Sequence, residues 1–156
     1  MKPTAPQHAA VVARMEFIRS ELGDLSEYRD LDWLAYQRDR KARRNVERIA
    51  ENVANAAIDV AKILLAASEI TVPGTYREVL EATLPAGLAD EATSRELVRL
   101  AQLRNTLSHR YLDYKWDGVK WFLHSGSAAV LAWLTACEHA IEARDAPEPP
   151  RGHPGS

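Results

Sequence analysis

Apolar residues recur along most of this chain at helical spacing. Val11, Met15, Ile18 and Leu22 are separated by four, three and four positions, which puts them on one face of a helix. Gly23 and Asp24 end that pattern, and Leu31, Trp33 and Leu34 predict a short second helix. Over 39–70 the apolar positions are Val46, Ile49, Val53, Ala57, Val60, Ile63 or Leu64, and Ala67. A helix of ~30 residues, rising ~1.5 Å per residue, spans much of a domain. Thr71-Val72-Pro73-Gly74 is the clearest stop signal in the chain.

Thr75 opens a short helix carrying Tyr76, Val79 and Leu80, with Glu78 three positions on as in a capping box. Pro85 and Gly87 interrupt again. A further helix over 93–112 carries Leu97, Leu100, Leu103 and Leu107, and Asp117-Gly118 reads as a break. A last helix over 119–143 rests on Phe122, Val130, Leu134, Cys137 and Ile141. Residues 146–156 read as a disordered tail behind a single helical domain over 1–145. No segment alternates like a strand and no segment repeats. The expected fold is all-α, an up-and-down bundle of four main helices plus short ones.

Composition narrows the class further. With 156 residues, 46% of them hydrophobic, the chain can bury a full core and is not a disordered protein. Arg14 and Glu16 interrupt any signal-peptide run near the start, and no stretch is long and uncharged enough for a membrane span. A lone Cys137 excludes an internal disulfide and a cysteine zinc cluster. The expectation is a soluble, cytoplasmic protein. Its net charge of −2 is unevenly spread. Glu16, Glu21, Asp24, Glu27, Asp30 and Asp32 make the early chain acidic. Arg38, Arg40, Lys41, Arg43, Arg44 and Arg48 then follow, opposed only by Asp39 and Glu47. Such a run is a solvated helix face or an RNA-facing patch; charge alone does not choose.

The chain has no glycine-rich phosphate loop, no His-Glu-x-x-His and no Gly-x-Ser-x-Gly. The histidines stand at positions 8, 109, 124, 139 and 153, without the i,i+3 or i,i+4 pairing of a helical metal site. No metal site and no cofactor is expected. One segment concentrates polar chemistry: Leu103-Arg104-Asn105-Thr106-Leu107-Ser108-His109-Arg110-Tyr111. Cleaving RNA without a metal needs a base for the ribose 2′-hydroxyl proton, a cation for the pentacoordinate phosphate and an acid for the leaving oxygen. Histidine titrates close to working pH and suits the proton transfers. Arginine carries a permanent, planar, forked charge and suits the phosphate. On an ideal helix Arg104 and His109 stand about 140° apart, and one His supplies one proton-transfer group. A two-fold dimer bringing two copies of the segment to one cleft meets that need. On spacing alone, an Arg and a His near a helix end more often cap carbonyls and meet the negative end of the dipole.

Arg48, Asn52, Asn55, Asp59 and Lys62 fall on one side of the long helix. They form a solvated face, or Asn52 or Asp59 lines a cleft in which Asp59 bonds Arg104 or His109. Trp116 and Trp121 read as buried anchors ahead of base-stacking platforms. His124 and His139 read as surface or packing residues.

Arg104 to Tyr111 resembles the Arg-x-x-x-x-His-x-Tyr motif of the HepT toxins, members of the HEPN superfamily of RNA-cleaving helical domains. Val46-Glu47-Arg48-Ile49 and Ala56-Ala57-Ile58-Asp59-Val60-Ala61 are similar to that family's central helix. Val72-Pro73-Gly74-Thr75-Tyr76-Arg77-Glu78-Val79 resembles its Pro-x-Ser/Thr-Tyr-Arg-Glu turn. The resemblance implies a HEPN-like bundle and a metal-independent endoribonuclease acting on tRNA or mRNA, the toxin of a toxin–antitoxin pair. It implies a small nucleotidyltransferase as cognate antitoxin, and a homodimer with a composite cleft. Arg104 and His109 would be catalytic, Tyr111 would receive AMP from the antitoxin, and Asn105 would orient the motif. A bulky anion two residues from His109 would block the cleft and repel RNA phosphate. The other reading is a non-catalytic HEPN-type helical module that binds a nucleotidyltransferase partner.

Overall fold

The longest apolar pattern in the sequence forms the centre of the molecule. In the computed structural model, which describes residues 2–145, α3 (Arg40–Ala67) is 28 residues long. Asp39 caps it, its carboxylate accepting from the Ala42 N–H at 3.0 Å. Val46, Ile49, Val53, Ala57, Val60 and Leu64 are all buried, and so are Ala50, Ala54, Ala56 and Ala61. Those small side chains let neighbouring helices approach the α3 backbone from more than one side. The helix stops at Ala67, short of 70, because Glu69 takes a left-handed φ of 58° and the Ile70 N–H turns back to the Leu65 carbonyl at 3.0 Å.

α1 (Ala5–Leu25) opens on a reciprocal cap between Thr4 and Gln7 and buries Val11, Met15, Ile18 and Leu22 as the periodicity predicts. Arg14 bonds Asp59, Asn52 bonds Glu21, and Asn45 bonds Tyr28 just beyond the helix. These pairs run in opposite order along the two segments, so α1 and α3 are antiparallel. α2 (Trp33–Arg38) is the expected short second helix. In α4 (Tyr76–Glu81) the Thr75 hydroxyl accepts from the Glu78 N–H at 3.2 Å; this is one half of the expected capping box, and the return bond is not formed.

α5 (Glu91–Thr106) begins before Thr93 because Asp90 caps it through the Thr93 N–H at 2.7 Å. It buries Leu97, Leu100 and Leu103, then ends well before 112. α6 (Leu112–Trp121) passes through a π-helical turn, Phe122–Gly126, into α7 (Ser127–Asp145). Two expectations are corrected here. The break lies at 107–111, inside what the spacing predicts as one helix, and Asp117-Gly118 is not a break. Gly118 sits within α6 where a Cβ would lie 2.9 Å from Leu103 Cδ1, so its missing side chain serves a close approach of α5 and α6.

The four long helices α1, α3, α5 and α7 make the bundle. α1 packs on α3, α5 lies between α3 and α7, and α7 returns to α1 through Arg19 and Glu138 at 2.6 Å. Among the described residues, buried side chains from α1 through α7 join one connected core. The expected all-α architecture is observed, with no strand among the described residues. No described helix is long and apolar enough to cross a membrane. The tail expected over 146–156 lies outside the described residues.

Candidate functional site

The segment from Arg104 to Tyr111 spans the junction of two helices. The Thr106 hydroxyl donates to the Gln102 carbonyl at 2.8 Å and the Ser108 hydroxyl to the Asn105 carbonyl at 2.8 Å. Such side-chain bonds compete with continued helix. The His109 N–H closes a turn on the Thr106 carbonyl at 3.0 Å. Tyr111 then adopts extended backbone, φ −82° and ψ 119°, at the N-cap of α6. Ideal-helix geometry therefore does not describe how Arg104 and His109 stand: one lies in the last turn of α5, the other in the loop beyond it.

Arg104 is turned toward α3 and α4. Its Nε–H donates to Asn55 Oδ1 at 2.7 Å, and its guanidinium carbon lies 4.3 Å from the centroid of the Tyr76 ring. Lys62 Nζ lies 5.4 Å from that same centroid. Within these distances an aromatic face attracts a cation without neutralising it. His109 is exposed, its ring edge-on to Tyr114 with centroids 4.9 Å apart. Tyr111 is 76% exposed and Asn105 is exposed. No hydrogen bond joins Arg104 to His109 within the chain; Arg104 is anchored inward while His109 and Tyr111 face solvent.

Asp59 and Asn52 stand elsewhere. Asp59 pairs with Arg14 of α1 at 3.5 Å, and the Asn52 amide donates to Glu21 Oε2 at 3.2 Å. The expected bond from Asp59 to Arg104 or His109 is not formed, because α1 claims that side of α3. Asn55, between them on the same helix, is the residue that reaches Arg104. Sequence spacing did not single it out: Asn52, Asn55 and Asp59 lie within about 60° of one another around an α-helix. Tyr76 gave no sign of its position beyond its place in the Pro-x-Thr-Tyr-Arg-Glu turn.

The basic stretch divides in the fold. Arg43 is spent on structure, its Nη1 donating to the Tyr36 and Gln37 carbonyls at 2.8 and 2.9 Å at the end of α2. Arg44 and Arg48 line a groove of about 460 Å³ with Asn45, Glu47, Glu51 and Leu107. Leu107 belongs to the α5–α6 junction, so the groove joins the basic start of α3 to the polar segment.

Behind the junction, Lys115 of α6 is ion-paired with Glu47 of α3, and the Tyr36 hydroxyl donates to the same Glu47 oxygen at 3.0 Å. Trp116, Tyr36 and Trp33 form an aromatic cluster with centroids 5.0 to 6.1 Å apart. Burial, reinforced by the Glu47 carboxylate, pushes the Tyr36 hydroxyl well above its usual titration range. Trp121 is buried, with its Nε1–H on Glu96 at 2.7 Å and the Arg99 guanidinium 4.8 Å from its ring. Both tryptophans are anchors. His124 and His139 lie on the surface. Among the described residues, no three His, Cys, Asp or Glu side chains are grouped as a metal ion needs.

The family model described as Ribonuclease HepT-like matches residues 18–130. Among solved structures, a chain from the crystal structure of a toxin–antitoxin with AMP-PNP aligns with a TM-score of 0.75 at 14% identity, covering 84% of this chain and 98% of that one. The cytosolic protein YutE of Bacillus subtilis, described as of unknown function, aligns at 0.75 and 15% identity, covering 91% and 95%. A chain from the complex of tri-AMPylated Shewanella oneidensis HEPN toxin with MNT antitoxin aligns at 0.74 and 15% identity, covering 83% and 97%. At such identities the likeness is one of fold. No curated protein matches the chain.

Proposed function

The chain belongs to the HepT-like ribonuclease family, and from that premise we propose that it is the toxin of a toxin–antitoxin pair, a cytoplasmic, metal-independent endoribonuclease acting on tRNA or mRNA. The observation that carries this reading is the α5–α6 junction, where Arg104 is anchored by uncharged partners, His109 is exposed, and Leu107 borders a groove lined by Arg44 and Arg48. In the reaction, His109 accepts the 2′-hydroxyl proton and the 2′-oxygen attacks the adjacent phosphorus. Arg104 stabilises the charge that builds on the phosphate oxygens, and the 5′-oxygen leaves with a proton. The products are a 2′,3′-cyclic phosphate and a 5′-hydroxyl. One copy of the chain offers one His at the junction, so a homodimer supplies the proton donor from its second copy.

Tyr111 is the proposed point of control. Its exposed phenol oxygen can attack the α-phosphorus of ATP held by a nucleotidyltransferase antitoxin, releasing pyrophosphate and leaving AMP on the ring. The added phosphate, two residues from His109, repels RNA at the junction. Asn105, exposed in the last turn of α5, is proposed to orient the segment. Expression of the wild type beside His109→Ala tests the function. Growth arrest with cleaved RNA in the wild type alone is expected. Normal growth with intact RNA in both, from folded and unmodified protein, would instead favour a non-catalytic module that binds the nucleotidyltransferase.

A further inference from the structure

The partners of Arg104 share one property: none of them is an anion. Its Nε–H is held by an amide oxygen of Asn55 at 2.7 Å, its guanidinium carbon lies over the ring of Tyr76 at 4.3 Å, and the third group near that ring is the ammonium of Lys62. Neither Arg104 nor Lys62 enters an ion pair among the described residues. The sole carboxylate on α3 between Glu51 and Glu69 is Asp59, and Arg14 draws it toward α1. A carboxylate at position 55 would hold the guanidinium equally well, but would cancel its charge. An amide oxygen and an aromatic face fix the group and leave it a full cation.

We propose that Asn55 and Tyr76 are positioning residues for Arg104: Asn55 takes the Nε–H, Tyr76 sets the guanidinium plane, and together they leave both terminal nitrogens free for a phosphate oxygen of the RNA. With Nε occupied, the fork formed by the two terminal nitrogens can point in one direction only. Lys62, on the same ring, adds a second uncompensated charge that raises the attraction for phosphate without competing for the fork. The inference rests on the ribonuclease reading for its catalytic consequence. Its structural half, the ordering of the Arg104 side chain, stands apart from that reading.

Two readouts on the full-length protein separate them. In nitrogen-15 NMR of the arginine side chains, the Arg104 Nε–H of the wild type is expected as a resolved, slowly exchanging signal, assigned by its loss in Arg104→Lys. Asn55→Ala is expected to return that proton to solvent exchange. Asn55→Asp is expected to retain it. In cleavage assays, Asn55→Ala lowers kcat by about 100-fold, the effect of a small misplacement of a catalytic group, with little change in KM. Asn55→Asp keeps the geometry but raises KM, because it neutralises the charge that attracts phosphate. Tyr76→Leu resembles Asn55→Ala in kcat, and Tyr76→Phe recovers most of what Tyr76→Leu loses. If Asn55→Ala keeps a slowly exchanging Arg104 Nε–H, the positioning role is wrong. It is equally wrong if that variant cleaves at the wild-type rate while Arg104→Ala is inactive. If Arg104→Ala itself cleaves normally, the ribonuclease assignment fails, and the NMR signal alone still decides whether Asn55 orders the side chain. Asn55→Leu, similar in size and lacking the acceptor, serves where Asn55→Ala does not fold.

Discussion

Lys115 and Glu47 form an ion pair that ties the first turn of α6 to α3, with side-chain exposures of 9% and 17%. The Tyr36 hydroxyl donates to the same carboxylate oxygen at 3.0 Å. Because Lys115 lies four residues after Tyr111, the pair fixes where α6 begins, and so the direction in which the 107–111 loop carries His109. Removing one partner leaves the other charge buried and uncompensated, which costs about 3 kcal/mol or more.

Lys115→Met is therefore expected to lower Tm by about 6–12 °C, taking about 3 kcal/mol and a chain of this size. Adding Glu47→Gln keeps an acceptor for Tyr36 and removes the orphan charge, so the double variant should be more stable than Lys115→Met alone. Additive losses in a double-mutant cycle would show that the pair is not coupled.

Gly126 lies in the π-helical turn against Trp121. A Cβ there would meet the Trp121 ring at 2.8 to 3.0 Å, and the ring is held by Glu96 and Arg99. Gly126→Ala should destabilise by about 1–3 kcal/mol from overpacking, although alanine is the better helix former by about 1 kcal/mol. A rise in the denaturant midpoint at unchanged slope would reject this account of the turn.

Cys137 is buried, and burial pushes its thiol up to about 12, with a further rise from the charge of Glu138. The folded chain therefore keeps this proton in a range where the unfolded chain, near 9, gives it up. The stabilisation is complete below pH 9 and is lost as pH rises from there toward about 12. Tyr36, raised by burial, adds a loss of the same sign above pH 10. Stability measured between pH 8 and 10 should fall less steeply in Cys137→Ala than in the wild type. The native thiol should resist alkylation at pH 8; rapid labelling of folded protein would contradict the burial.

Tyr111→Phe removes the phenol oxygen and nothing from the proposed chemistry at Arg104 and His109. With the nucleotidyltransferase partner and ATP, the wild type should gain mass in steps of AMP and lose ribonuclease activity. The phenylalanine variant should gain none and stay active in the same mixture. Modification of the variant at the wild-type level would move the site of control to another residue.

How much of this was legible in the sequence depended on how far each signal reached. α1 and α3 were readable because each buries a stripe of apolar residues at unbroken helical spacing. The α5–α6 junction was not, because Leu107 and Leu112 continue the apolar pattern across it and no glycine or proline marks the break. Gly118 read as a break because glycine's two uses, freedom of backbone and closeness of approach, look alike until the neighbouring Leu103 is in place. The segment from Arg104 to Tyr111 stood out by its chemistry alone. Its support did not: Asn55 is 49 positions from Arg104, and helical spacing offered Asn52 and Asp59 as equal candidates until α1 was seen to occupy them.

The most direct test of the central claim is cleavage of RNA by the purified protein, unmodified at Tyr111, in the presence of a metal chelator. The wild type should cut and leave 2′,3′-cyclic phosphate and 5′-hydroxyl ends. His109→Ala and Arg104→Ala should be slower by at least about 100-fold, the usual reach of acid–base and electrostatic catalysis, with unchanged helical content. Cleavage by His109→Ala at the wild-type rate, or no cleavage by folded wild type, would contradict it.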